Sequence, residues 1–329
     1  MKPLLYHSLA MLLTLQPIFA SAQSSAPLSL AQTLPLPDVR GRIDHLAVDV
    51  EGERLFVAAL GNDSVEVIDL RTAQRAQQLG DLQEPQGVAF VGKTGQLFVA
   101  NGRGGRVDVF SGKPLVRVTR VDGLADADNL RYDAAGDKLY VGYGSALAVI
   151  EPMTGKLASR IELAAHPESF QLETSGARIF VNVPSAQQIA VVDRKMGAQI
   201  ATWRIGDAAA NFPMALDERD HRLFVATRRP AQLLVYDSES GDRVAKFSTG
   251  GDADDLFYDA ERKRLYVICG EGLVDVVRQI DRDHYESFGN VKTAPGARTG
   301  LFAPTRNALY VAVPARGSSP AEIRIYAVQ

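Results

Sequence analysis

"RLFVAAL" at Arg54–Leu60 returns as "QLFVANG" from Gln96, "KLYVGYG" from Lys138, "RIFVNVP" from Arg178, "RLFVATR" from Arg222, "RLYVICG" from Arg264 and "ALYVAVP" from Ala308. The intervals are 42, 42, 40, 44, 42 and 44 residues. A self-similar period of about 40 to 50 residues is that of a four-stranded propeller blade. Seven copies therefore predict an all-β fold, a single seven-bladed β-propeller.

Each unit parses alike. In the first, "HLAVD" (His45–Asp49) leads through the polar turn "VEGE" into the repeated strand, followed by "SVEVIDL" (Ser64–Leu70) and a fourth strand around "AQQLG". Alternation with β-branched and aromatic residues supports strands, and helical periodicity is absent beyond the N-terminal segment. The last unit ends after its third strand, "EIRIYAV", whereas a spare strand-like segment, Leu30–Pro37, precedes the first. That segment is expected to complete blade seven and close the ring, which removes an open sheet edge.

Composition sets the remaining bounds. The chain of 329 residues is 46% hydrophobic and 23% charged, with a formal charge of −3. Weak acidity argues against a nucleic-acid backbone as obligate partner. Lys2, an apolar run from Leu4 to Leu15 and Ala20-Ser21-Ala22 form a secretory leader pattern, so residues 1–22 are expected to be removed and residues 23–329 to form the propeller. The expectation is a periplasmic or secreted monomer with no membrane span. Cys269, the sole cysteine, excludes an intrachain disulfide and reads as a small buried hydrophobe.

The seven "LFVA/LYVG" phrases, with third strands ending "VIDL", "VIEP", "VVDR" and "VYDS", resemble the YncE-like family of bacterial seven-bladed propellers with YVTN-type repeats. The resemblance covers nearly the whole chain after the leader and implies the architecture. It does not imply one activity, because related propellers include ligand binders, proteins with proposed DNA binding and lyases such as virginiamycin B lyase.

Carboxylates that recur in every blade have a structural use. Asp69, Glu151, Asp193 and Asp237 close third strands, and Asp49, Asp133, Asp217 and Asp259 open the turns after first strands, where they can accept from turn backbone. The loop entering each first strand breaks this regularity. Its aligned positions read Asp44, Gln86, Asp128, Glu168, Phe212, Asp254 and Arg298, then His45, Gly87, Asn129, Ser169, Pro213, Asp255 and Thr299. First strands line a propeller's axial channel, so these residues are expected to form a ring at one mouth of it, with Asn211 and His166 nearby and Asp126 on the rim. Crowded carboxylates must bind a cation, pair with an arginine or hold a proton. Loops between second and third strands, carrying Arg228 among others, are expected on the same face and suit an oxygen-rich anionic ligand.

Three chemistries fit such a ring. A preformed polar pocket binding a small polar or anionic ligand, or a partner protein, is the leading expectation, with Asp44, His45, Asp128, Asn129, Glu168, Asn211, Arg228, Asp254, Asp255 and Arg298 as contacts. Carboxylate and amide oxygens from Asp128, Asn129, Glu168, Asn211 and Asp254 would suit Ca2+ or Mg2+, resembling the axial calcium sites of six-bladed lactonase-type propellers. "DADNLRYDAAGDK" itself is no EF-hand, lacking Gly at its sixth position and Glu at its twelfth. His45 and His166 are the candidate proton-transfer groups if the site is a cation-assisted lyase or hydrolase. Single-stranded nucleic acid is a further alternative, without an aromatic stacking series to support it.

Overall fold

The computed structural model describes residues 26–329, and the expected leader lies outside them. Twenty-eight strands form seven antiparallel four-stranded sheets, and no α-helix occurs among the described residues. In six sheets the strands follow in chain order from the axis outward, as in Leu46–Asp49, Arg54–Ala59, Ser64–Asp69 and Gln74–Leu79 of blade one. Blade seven runs Gly300–Ala303, Ala308–Val313, Ala321–Val328 and then Leu28–Leu36 from the other end of the chain. Its closure places Leu28 opposite Val328 and Leu36 opposite Ala321, so the closing strand begins two residues before the expected span and stops one short of it.

The repeated phrase is the second strand of each blade, and its position explains its composition. Phe56, Phe98, Tyr140, Phe180, Phe224, Tyr266 and Tyr310 occupy one column of it, all 4% exposed or less. A strand sandwiched between two neighbouring blades is buried on both faces and so loses polar alternation. Alternation returns in the outermost strands, such as Ala198–Arg204, where exposed and half-buried residues take turns.

Seven apolar slabs replace a central core. One contains Phe56, Val67, Leu97 and Val99 between blades one and two. The last contains Leu34, Leu36 and Ile323 of blade seven against Leu46, Leu55 and Val57 of blade one, so the ring closes through packing as well as strand pairing. Each such Leu, Val or Phe contributes roughly 1.5–3 kcal/mol on burial.

The repeat carboxylates do what their positions suggest. Asp69 Oδ1 accepts from the backbone N–H of Arg71 and Thr72, Asp193 from Lys195 and Met196, and Asp237 from Glu239 and Ser240. Asp49, Asp133, Asp217 and Asp259 serve the inner turns in the same way. Glu151, one carbon longer, pairs with Lys138 instead.

Candidate functional site

The mouth loops are fixed by one backbone pattern. Asp44 N–H donates to Ala58 O and Ala58 N–H to His45 O; Asp128 with Gly142 and Asn129, and Glu168 with Asn182 and Ser169, repeat it in blades three and four. Residues about forty apart are thereby held at the same height. Gly87 permits the tight fit between blades two and three, since a Cβ there would sit 2.1 Å from Asp128 O.

A chain of alternating charges runs around the ring. His166 Nε2 lies 4.0 Å from Asp128 Oδ2, and Asp128 Oδ1 lies 4.0 Å from His45 Nε2. His45 Nε2 is 3.7 Å from Asp44 Oδ1, and its Nδ1 is 3.4 Å from Asp255 Oδ1. Asp44 Oδ2 faces Arg42 Nη2 at 2.9 Å, which leads at 3.7 Å to Asp254 Oδ2. Arg298 Nε approaches Asp254 Oδ2 at 3.1 Å, and Arg228 Nη2 meets its Oδ1 at 2.5 Å. Both arginines also hold Asp252. Arg228 further lies 4.0 Å above the Phe212 ring.

Charge and burial are mismatched here. Asp44 is 1% exposed, yet neither carboxylate oxygen has an aligned hydrogen bond, and the buried Asn129 Oδ1 likewise has none. Burial pushes the Asp44 carboxyl up to about 7, against the pull of His45 and Arg42. Burial and the neighbouring Asp128 push Glu168 up to about 8, with His166 opposing. Burial opposes charge on His45 as well, but Asp255 and Asp44 outweigh it and push the imidazole up to about 10. His166 is raised from its ordinary value, its burial overcome by Asp128, Glu168 and Asp126.

The structure brings Asp44, His45, Asp128, Asn129, His166, Glu168, Arg228, Asp254, Asp255 and Arg298 to this mouth. Asp126 lies on the rim as expected, 64% exposed and 3.6 Å from His166. Asn211 sits differently. It is fully enclosed, with Nδ2 donating to Asn182 Oδ1 and Gln188 O, so its amide nitrogen joins blades four and five. Several outer-loop arginines and amides serve surface or scaffold bonds, as Arg103 does with Asp63 and Glu84 and Asn101 with Asp108. Cys269 is buried and free, its thiol pushed up to about 12 by burial.

Below the mouth an axial cavity of about 410 Å³ is lined by all seven blades, from His45, Asn129, Ser169 and Asp255 down to Val48 and Phe90. Arg131 enters it. Its Nη1 donates to the carbonyl of Leu130 at 2.8 Å, and no carboxylate lies within ion-pair distance among the described residues. Burial draws its guanidinium below the ordinary value, with Asp255 and Asp128 opposing. Arg131, Arg42 and Asp252 were not singled out by the sequence reading. Arg131 lies on its first strand two positions beyond Asn129, where the strand period of two would have reached it, whereas Arg42 and Asp252 lie in the entering loops two positions before Asp44 and Asp254.

No protein-family model matches the chain. The uncharacterized protein YncE of Salmonella typhimurium and that of Salmonella typhi are each 23% identical to it over 225 residues. The match covers 63% of this chain and 63% of each relative, so it spans less than two thirds of their length. A chain in a crystal structure of the mitotic checkpoint complex superposes with a TM-score of 0.79, at 12% identity, over 99% of both chains. Hydrazine synthase of Kuenenia stuttgartiensis gives 0.76 at 16% identity, over 89% of this chain and 97% of that one. At those identities the likeness shows the fold alone. The sevenfold strand phrase and the closed ring of blades make this chain a seven-bladed β-propeller, and over part of its length it is similar to YncE.

Proposed function

We propose that this propeller is a binding protein that holds a small polar ligand, through a cationic part of it, at the acidic mouth of the axial channel. The observation that carries this reading is Asp44, a carboxylate 1% exposed with no aligned hydrogen bond, set among Asp128, Glu168, Asp254 and Asp255. The anionic ligand expected from Arg228 and Arg298 has less support, because both guanidinium groups are spent on Asp252 and Asp254. A phosphate backbone is disfavoured by the same excess of carboxylate. His45 pushed up to about 10 favours the imidazolium form, which suits pairing with the mouth carboxylates better than service as a general base. An exported location rests on the leader pattern of residues 1–22.

The test is titration with butylammonium, followed by thermal unfolding and by NMR of the imidazole protons. Wild type is expected to show saturable binding that Asp128→Asn weakens several-fold. Failure of wild type to bind would sink the reading.

A second reading has its own observation. Asp128, His166 and Glu168 each offer a donor atom, all within 4.8 Å of one another, and His166 Nδ1 faces Gly144 O at 3.2 Å, which leaves Nε2 for a ligand. This set combines two of the expected oxygen donors, Asp128 and Glu168, with an imidazole nitrogen that suits zinc as well as Mg2+ or Ca2+. A metal that binds would raise the melting temperature. His166→Gln should then abolish the shift given by Zn2+; equal shifts in wild type and variant would exclude the triad.

A further inference from the structure

The mouth column is one of two channel-facing rings. Two residues further along each first strand come Ala47, Ala89, Arg131, Gln171, Ala215, Phe257 and Leu301. Arg131 is the single charge in this second ring, and Gln171, the other polar member, donates its amide to Met214 O at 2.8 Å. Phe257 and Leu301 of blades six and seven stand across the channel from Arg131, Ala47 and Ala89 leave room on the near side, and Leu46, Leu130, Met214 and Leu256 give the cavity apolar walls. A half-buried guanidinium keeps its charge and presents a planar fork suited to a carboxylate. Its Nη1 donates to the chain's own Leu130 carbonyl and its Cζ lies 5.6 Å from the centre of the Phe170 ring, and no carboxylate is paired with it among the described residues, although it lines the cavity.

The two rings therefore carry opposite charges at two depths. Residues i and i+2 of a strand are separated by roughly 7 Å. An acidic collar at the mouth and a lone arginine one ring deeper match a molecule with an ammonium group at one end, a carboxylate at the other and a short apolar chain between. We infer that the channel receives a small amphoteric ligand of the ω-amino-acid class, its carboxylate on Arg131 and its ammonium among the carboxylates of the mouth. An α-amino acid, whose charges are adjacent, cannot meet both rings at once. This assignment rests on the proposed binding mouth and adds the second anchor to it.

Calorimetric titration with 5-aminovalerate, butylammonium, butyrate and glycine tests it. In wild type 5-aminovalerate is expected to bind at least tenfold more tightly than butylammonium, with glycine and butyrate weaker still. Arg131→Gln should reduce 5-aminovalerate to the affinity of butylammonium and leave butylammonium itself unchanged or tighter. Arg131→Lys, which keeps the charge without the fork, should retain part of the preference. Thermal unfolding of each variant checks the fold. If butylammonium binds wild type and 5-aminovalerate binds no better, or if Arg131→Gln leaves the preference intact, the second anchor is refuted while the mouth stands. If neither binds, both readings fall.

Discussion

Glu168 and Asp44 are carboxyls held where ionisation is costly, and this gives the mouth an unusual pH signature. Their folded values, about 8 and about 7, lie above the ordinary carboxyl range, and His45 at about 10 lies above the ordinary imidazole. In each case the folded state binds more protons than the unfolded chain across the interval between the two values. Stability from these groups is therefore present at low pH and is lost as pH rises, from about 4 upward for the carboxyls and from about 6.5 toward 10 for His45. Glu218 and Asp237, both lowered to about 2, act oppositely and only in acid, where stability is lost as pH falls below about 4. Glu168→Gln removes one costly charge: it should change stability little at pH 5 and raise it above wild type at pH 9. Urea unfolding at the two values checks this, and an equal loss at both would refute charge crowding as the cause. Asp44, His45, Asp128, Glu168, Asp254, Asp255 and Arg298 were legible in sequence because each breaks a sevenfold column, whereas Arg42 and Asp252, outside those columns, were not. Their pairing was not, since which arginine reaches Asp254 and which histidine faces Asp128 depends on side-chain directions that the repeat leaves free.

At the scale of the strand, the consequential element is Leu28–Leu36. It joins the two ends of the chain in one sheet, and Leu34 and Leu36 pack in the slab shared by blades seven and one. Leu34→Ala should cost about 2–5 kcal/mol, the range for a buried leucine whose cavity cannot collapse. Leu55→Ala, in an internal strand facing the same slab, should cost a similar amount. Guanidinium unfolding followed by the fluorescence of Trp203, which packs 5.5 Å from Phe180 in blade four, reads both changes far from the mutated site. A loss confined to Leu55→Ala would mean that the closing strand is a loose appendage. Sequence foretold this strand because the last repeat lacks a fourth one. Its ends were misjudged by one or two residues because Leu28 packs on blade six, against Tyr266 and Ile268, a contact that no local pattern announces.

For the whole molecule, closure by pairing distant segments means that no blade is special except through where the chain is cut. Gln329 N–H donates to Pro27 O at 3.3 Å, so the described ends already meet. The mouth, in contrast, draws on loops before blades one, three, four, six and seven and on Arg228 of blade five, and depends on the ring being closed rather than on the order of its parts. A circular permutant tests this separation. Residues 27 and 329 would be joined by a short Gly-Ser linker and the chain reopened in the turn after Glu151, where Met153 is 66% exposed and the outer strand Lys156–Glu162 becomes the new closing strand. The permutant is expected to unfold in one transition within about 5 °C of the parent, since a 1 kcal/mol change shifts the midpoint by only a few degrees in a chain of this size. It should also bind butylammonium with unchanged affinity. A chain that simply lacks residues 26–36 should instead leave Ala321–Val328 as an open edge and lose both cooperativity and binding. Loss of binding in the well-folded permutant would show that the mouth requires the native chain order, and retention of binding in the truncated chain would show that it does not require the closed ring.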